Sequence, residues 1–271
     1  SGNDSSLTGD SDFAGALKEA DNVVIASHQS KTGEVGPSLL IRENARATGI
    51  VDKPRDWDSA VRRFYPRFLI AGEEHPSWEL AVFERAFLHR SSGIEGRFSK
   101  EDRVIDYRLS LNQFPRISLW RLLEGSVLAK EVRNKIVLIG LTAEVFHDIH
   151  ATPIGLMPGL AINANVLLML MRGDFFSFVP KWISPLLIFL SCWIAMLLAL
   201  LGSVLTGALC VLFLSVFYVA ASFLLFSHQV ILDVWLVILG TVGVFGGTLL
   251  LRELDLWLER LRLREASARD P

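Results

Sequence analysis

One long stretch of this chain, residues 182–251, all but lacks charge. Between Lys181 and Arg252 the only Asp, Glu, Lys or Arg is Asp233. A water-soluble core of that length would need more polar side chains to cover it. The run instead holds three stretches of roughly the 20 residues that span a hydrocarbon layer of about 30 Å. They are 183–201, 205–226 and 230–251, with uncharged turns at Gly202-Ser203 and Ser227-His-Gln229. Cysteine is scarce. Cys192 and Cys210 both lie in the apolar region, so no disulfide framework holds the rest, and cysteine usage does not decide the compartment. A signal peptide is not read at the start, Ser1-Gly-Asn-Asp-Ser-Ser6, which has no apolar core. Charge of one sign is missing too: the net charge is −2, and residues 1–180 hold 21 Lys+Arg against 23 Asp+Glu, which excludes a basic nucleic-acid surface. There is no nucleophile elbow, Walker phosphate loop, paired zinc ligand set or Rossmann glycine pattern. Nothing in the residues argues for an enzyme or a cofactor.

What is present is an apolar chain of 271 residues, 51% hydrophobic, with a mean hydropathy of +0.39. That suffices for one sizeable domain and a smaller part. The first eleven residues read as a loop, and 12–20 as a short helix with Phe13, Ala16 and Leu17 on one face. Residues 22–27 read as a strand, 29–37 as a polar loop, and 48–51 with 61–71 as an antiparallel hairpin. Ser77–Arg90 reads as a helix with Leu80, Val82, Phe83 and Phe87 at helical spacing; Ser77 and Glu79 suit its first turn. Residues 104–109 read as a strand and 118–123 as a helical turn.

The stretch from Lys135 to Met171 organises the domain. Lys135-Ile-Val-Leu-Ile-Gly140 reads as a strand buried on both faces, and Leu160–Met171 as an apolar helix. The polar loop between them, stiffened by Pro153 and Pro158, takes the place where α/β proteins put working residues. The fold class expected is α/β: a mixed sheet with flanking helices over 1–180, an all-α bundle of three transmembrane helices over 181–251, and a helical stalk over 252–271.

Candidate site residues follow from this frame, each with an ordinary alternative. His147-Asp148-Ile149-His150 carries metal-ligating side chains, but the spacing fits no zinc motif and a plain polar loop is the stronger reading. Gly140-Leu-Thr142 after a strand suggests an anion nest; a simple βα turn is the stronger reading. Asn163 and Asn165 either read a ligand or hydrogen-bond carbonyls that proline leaves unpaired. Of Arg62 and Arg63, one faces inward onto an acid such as Asp58 or Asp106, or both are solvated. Asp233 and His228 lie near the outer end of the third span, where an intramembrane carboxylate suggests a functional role and an interfacial position is the stronger reading.

Several of these residues carry a family resemblance. Lys135–Gly140, Thr142, Asp148, Thr152-Pro153, Pro158-Gly159 and Ala164-Asn165 resemble the C-terminal signature of the CHASE type 2 family, the extracytoplasmic sensory domains of bacterial signalling proteins. Upstream, Asp10-Ser-Asp12, Phe13–Leu17, Asn22–Ala26, Gly49-Ile-Val51 with Asp58 and Val61-Arg-Arg63, and Ile105-Asp-Tyr-Arg108 with Phe114-Pro115 resemble its earlier elements. The resemblance covers residues 10–251. It departs at Asp106, where the family favours Asn, and at Asn163, where it often has His; a ligand held by that His is not implied for this chain. The resemblance implies that Asp148 and Thr152 brace the loop by capping backbone N–H groups. It also implies upstream sequence, since in the family a membrane helix, a strand and a helix precede the region that Ser1 opens.

Arg252, Arg260, Arg262 and Arg264 after the third span, against Arg172 and Lys181 before the first, place the C-terminus inside and residues 1–180 outside. The expected setting is a bacterial inner membrane with a periplasmic N-terminal domain. The expected function is a non-catalytic sensor that passes an outside signal, an unidentified small molecule, to a cytoplasmic output. The alternative is a structural anchor or scaffold subunit of an envelope complex. Expected partners are membrane lipid and either a second copy or other chains of a membrane complex. Leu251, Leu254, Leu258 and Leu261 form a short a/d seam for such pairing, while Leu256, Trp257 and Leu263 widen the stripe toward a membrane-surface helix.

Overall fold

The computed structural model describes residues 4–30, 33–87, 102–143 and 148–267. The chain forms two units, Ser1–Phe175 and Phe176–Pro271; the first is mixed α/β and the second is built of apolar helices.

In the first unit α1 (Asp4–Ala20) begins well before residue 12, so most of the expected opening loop is helical. Asp and Ser suit a helix N-terminus, where their oxygens meet unpaired N–H groups. Its buried positions are Ala14 and Leu17; Phe13 stays exposed. β1 (Val24–Ser30) pairs parallel with β3 (Ala47–Ile50) and antiparallel with β2 (Gly33–Val35), a strand that falls within the expected loop 29–37. Between them lies α2 (Leu39–Asn44).

The expected hairpin of 48–51 with 61–71 does not form. β3 pairs along β1, and Pro66, with no N–H to give a ladder, splits the later run into β4 (Arg63–Phe64) and β5 (Arg67–Ile70). β5 pairs with β6 (Glu73–Pro76). Next comes α3 (Trp78–Ala86), whose first turn is capped by Ser77 Oγ accepting the Leu80 N–H at 3.2 Å. β4 pairs with β7 (Arg103–Val104), leaving 105–109 outside any sheet. Two short helices follow, α4 (Leu119–Leu123) and α5 (Ala129–Val132), which bury no residue.

Residues 136–140 are the main departure from expectation: they join no sheet among the described residues. Ile136 and Leu138 pack on the core while Val137 and Ile139 are exposed, so the run is buried on one side only. A continuous apolar run does not by itself distinguish one-sided from two-sided burial. The loop after it also contains regular structure, the hairpin of β8 (Ile149–Thr152) and β9 (Gly155–Pro158), which leads directly into α6 (Gly159–Arg172).

The core lies between α3 and α6. Phe64, Leu80, Phe83, Ile162, Val166 and Leu170 are all at most 2% exposed, each worth about 2 kcal/mol of burial. On its other side α3 crosses β3 at Gly49, where a Cβ would stand 2.5 Å from Trp78 Cα; only a hydrogen fits. Trp78 Nε1 donates to Val24 O at 3.1 Å and ties the helix to β1.

In the second unit β10 (Ser177–Phe178) precedes α7 (Ile183–Leu201) and α8 (Val204–Ser227); β11 (Val230–Ile231) pairs with β10 and is followed by α9 (Trp235–Ser267). All three helices are long and apolar enough to cross a membrane. Ala195 and Ala199 of α7, Val211 of α8 and Phe245 of α9 form their common buried cluster. The third helix starts at Trp235 and not at 230. Asp233 therefore precedes it, and its Oδ1 accepts the Trp235 N–H at 3.3 Å. At the opposite end of the spans Arg252 Nη1 donates to Ala199 O at 3.0 Å and Gly202 O at 3.3 Å, satisfying carbonyls that end α7.

Candidate functional site

In the first unit Asp148 and Thr152 lie at the β8–β9 hairpin, Arg62 and Arg63 where the loop after β3 enters β4, and Asn163 and Asn165 on α6. The hairpin turns at Pro153-Ile154. Thr152 Oγ1 donates to Gly155 O at 2.6 Å, and Gly155 takes φ +114, open to glycine. Val61 N–H donates to Ala151 O at 2.8 Å, joining the loop to β8.

Asp148 sits where the hairpin meets the helix. Its backbone carbonyl accepts the Gly159 N–H at 3.1 Å. Its carboxylate rests against the α carbon of Gly159, so that a Cβ there would meet Oδ2 at 2.7 Å. A carboxylate at the first residue of a helix is stabilised by the positive end of its dipole. Asp148 Oδ1 also lies 2.9 Å from His150 Nε2, and His150 Nδ1 lies 3.3 Å from Arg55 Nη2. Among the described residues the Thr152 hydroxyl donates to a carbonyl, and the Asp148 side chain meets His150.

Asn165 is fully buried and uses its whole amide. Oδ1 accepts the Arg108 and Leu109 N–H groups at 3.2 and 3.1 Å; Nδ2 donates to Leu109 O at 2.9 Å and Ala161 O at 3.0 Å. Its role is to fix residues 108–109 on α6, and no donor or acceptor of the side chain is left for a ligand. Asn163 and Thr142 are half-buried and make no side-chain hydrogen bond among the described residues. His147 lies outside the described residues.

Arg62 and Arg63 both engage acids. Arg62 forks onto Asp58 at 2.8 and 2.7 Å and reaches Asp56 at 2.9 Å; Arg63 bridges Asp56 and Asp102. The Arg62 guanidinium holds the Asp58 carboxyl down at about 2, and Arg63 with Arg62 lowers that of Asp56. Asp106 pairs with Arg108, which also approaches Asp174 at 3.4 Å.

Sequence reasoning missed Lys53 and Glu79. Lys53 Nζ lies 2.7 Å from Glu79 Oε1, with side chains 7% and 0% exposed, and donates to Val51 O at 2.9 Å. Among the described residues the Glu79 oxygens find no other partner. A buried charge left alone is costly, so Lys53 fastens the loop to α3. Glu79 reads as a first-turn helix acid, and no local pattern announces a partner in a distant turn. Tyr107 donates its hydroxyl to Val61 O at 2.9 Å, and burial pushes that phenol upward, so it stays neutral.

In comparison with known families, the model of the CHASE2 domain matches residues 1–208, which takes in the whole first unit, α7 and the beginning of α8. No curated protein and no solved structure matches the chain.

Proposed function

Because the chain belongs to the CHASE2 domain family, we propose that it is a sensor module whose first unit receives a signal outside the cytoplasm and whose helices carry it to a cytoplasmic output. The family's sensory domain joined to three membrane-length helices fits a membrane sensor. The observation that supports transmission most directly is α9. It runs for 33 residues without a break, whereas about 20 cross the hydrocarbon layer. A rod of that kind extends past the membrane edge, and its far end carries Arg252, Arg260, Arg262 and Arg264. Arginines flanking a span favour the cytoplasmic side. On this reading the signal is a small molecule or ion met by the first unit, in a bacterial inner membrane.

Orientation is the test. In a variant with Cys192 and Cys210 replaced by Ala, a single cysteine replaces Trp57, 98% exposed in the first unit, or Glu259, exposed on α9. A membrane-impermeant maleimide should label W57C in intact cells and E259C only after permeabilisation. The reverse pattern would remove the reading.

A further inference from the structure

The ring of His150 stands between a group that only donates hydrogen bonds and a group that only accepts them. Arg55 Nη2 is 3.3 Å from Nδ1, and Asp148 Oδ1 is 2.9 Å from Nε2. One state of the ring satisfies both: neutral, with its proton on Nε2 facing Asp148 and a lone pair on Nδ1 facing Arg55. A second proton turns Nδ1 into a donor. It then points an N–H and a positive charge at the guanidinium, while the contact with Asp148 becomes charge-assisted. Protonation thus keeps one arm of the bridge and repels the other.

Among the described residues His150 is the imidazole in contact with Arg55; the other imidazole facing the loop that supplies Arg55, His28, lies against Asp52. Across the hairpin the register partner of His150 is Met157, which carries no charge. On the loop that supplies Arg55, the other charged side chains are committed elsewhere. Asp52 faces His28, Lys53 faces Glu79, and Asp56 and Asp58 face Arg62 and Arg63. The ring is 23% exposed, so protons reach it while its orientation is held. Its two contacts join elements distant in sequence: the loop after β3 and, through Asp148, the first residue of α6.

We propose that Arg55, His150 and Asp148 form a proton-operated clamp in the first unit. The neutral imidazole closes the loop of residues 52–60 onto the hairpin. The protonated ring stays with Asp148 and releases Arg55, freeing the loop between Lys53, which Glu79 still holds, and the Val61–Ala151 backbone bond. Use of this movement as a signal rests on the sensory reading above; the clamp itself does not.

Hydrogen–deuterium exchange of the full chain in lipid nanodiscs tests it at about pH 8 and about pH 5, the ends of the range in which imidazole side chains ordinarily change charge. After correction for the intrinsic effect of pH, peptides covering 52–60 should exchange several-fold faster in acid, with the core of α6 unchanged. In His150→Gln, an uncharged amide that can both donate and accept, exchange should be slow at both pH values. In Arg55→Ala it should be fast at both. A wild-type loop indifferent to pH overturns the proposal, as does a pH response that survives in either variant. Failure of the sensory reading would show instead in the labelling pattern of W57C and E259C.

Discussion

Asn165 grips Leu109 by both ends of its backbone: Oδ1 accepts the Leu109 N–H at 3.1 Å while Nδ2 donates to the Leu109 carbonyl at 2.9 Å. A side-chain amide here replaces the neighbouring strand that would otherwise pair with this residue. The first unit needs that substitute because β7 ends at Val104, and the chain then passes over α6 with no sheet partner. Tyr107, two residues earlier, adds its hydroxyl bond to Val61 O.

Replacing Asn165 by Ala should therefore leave the part-buried N–H groups of Arg108 and Leu109 and the Leu109 carbonyl without their partner. Each costs about 1–3 kcal/mol, so a loss of about 3 kcal/mol in total is expected. Thermal or urea unfolding of the detergent-solubilised chain, followed by tryptophan fluorescence, measures it. Asn165→Asp should be no better, since it removes the donors to Leu109 and Ala161 and adds a buried charge. If Asn165→Ala unfolds with the wild type, the grip is not a structural one.

Local signals in the sequence were sufficient for the elements whose stability is local. The Ser77 cap and the apolar spacing after it point to α3, the apolar run before Arg172 to α6, and the uncharged lengths to the three long helices. Pairing was less legible. Which strand lies beside β3 depends on β1, more than 20 residues earlier, and on Pro66, which rules out a long ladder. The run 136–140 shows the same limit: its residues are apolar enough for either degree of burial, and only the packing of Ile136 and Leu138 reveals that one face was used. Among the candidate residues, the sequence offers Asp58 or Asp106 as acids for one of Arg62 and Arg63, and Arg62 forks onto Asp58. Arg55 with His150 and Lys53 with Glu79 were not legible, because each joins elements that meet only in the folded chain.

The Asp58–Arg62 pair sets an acid limit for the loop. The folded-state carboxyl of Asp58 is depressed to about 2 from an ordinary 3.8. A depressed carboxylate contributes stability that is fully present above the ordinary value and is lost as pH falls through the folded one. Asp56, lowered in the same direction by Arg63 and Arg62, follows the same sign. Both acids are on the surface, so the effect is small and weakens with salt. In the His150→Gln background, amide exchange over residues 55–63 should stay constant from neutral pH down to about 4 and rise between there and about 2. Asp58→Asn should show the raised exchange already at neutral pH. An unchanged profile in that variant would mean that the pair holds nothing in place.

The last prediction concerns the far end of α9. Leu251, Leu254, Leu258 and Leu261 recur at intervals of 3, 4 and 3 on a helix that continues unbroken from the membrane span. Leu251, Leu254 and Leu258 are 39–64% exposed within the chain. Arg252 points away to the α7 carbonyls, so this charge is kept off the seam. A membrane-surface helix would also bury such a stripe, but it must turn through a large angle where it leaves the span, and sharp turns need a proline, a π-bulge or a similar defect. None occurs in α9, whose last glycines, Gly246 and Gly247, lie before the seam begins. The seam is therefore expected to meet a second helix, as an a/d pair does in a coiled coil. Cysteines placed at Leu254, Leu258 or Leu261 should cross-link to the partner helix under mild oxidation in membranes. Cysteines at Glu253, Asp255 or Arg262 should not. Equal cross-linking from both sets, or none from either, would leave the stripe to the membrane surface and remove the pairing helix from the route to an output.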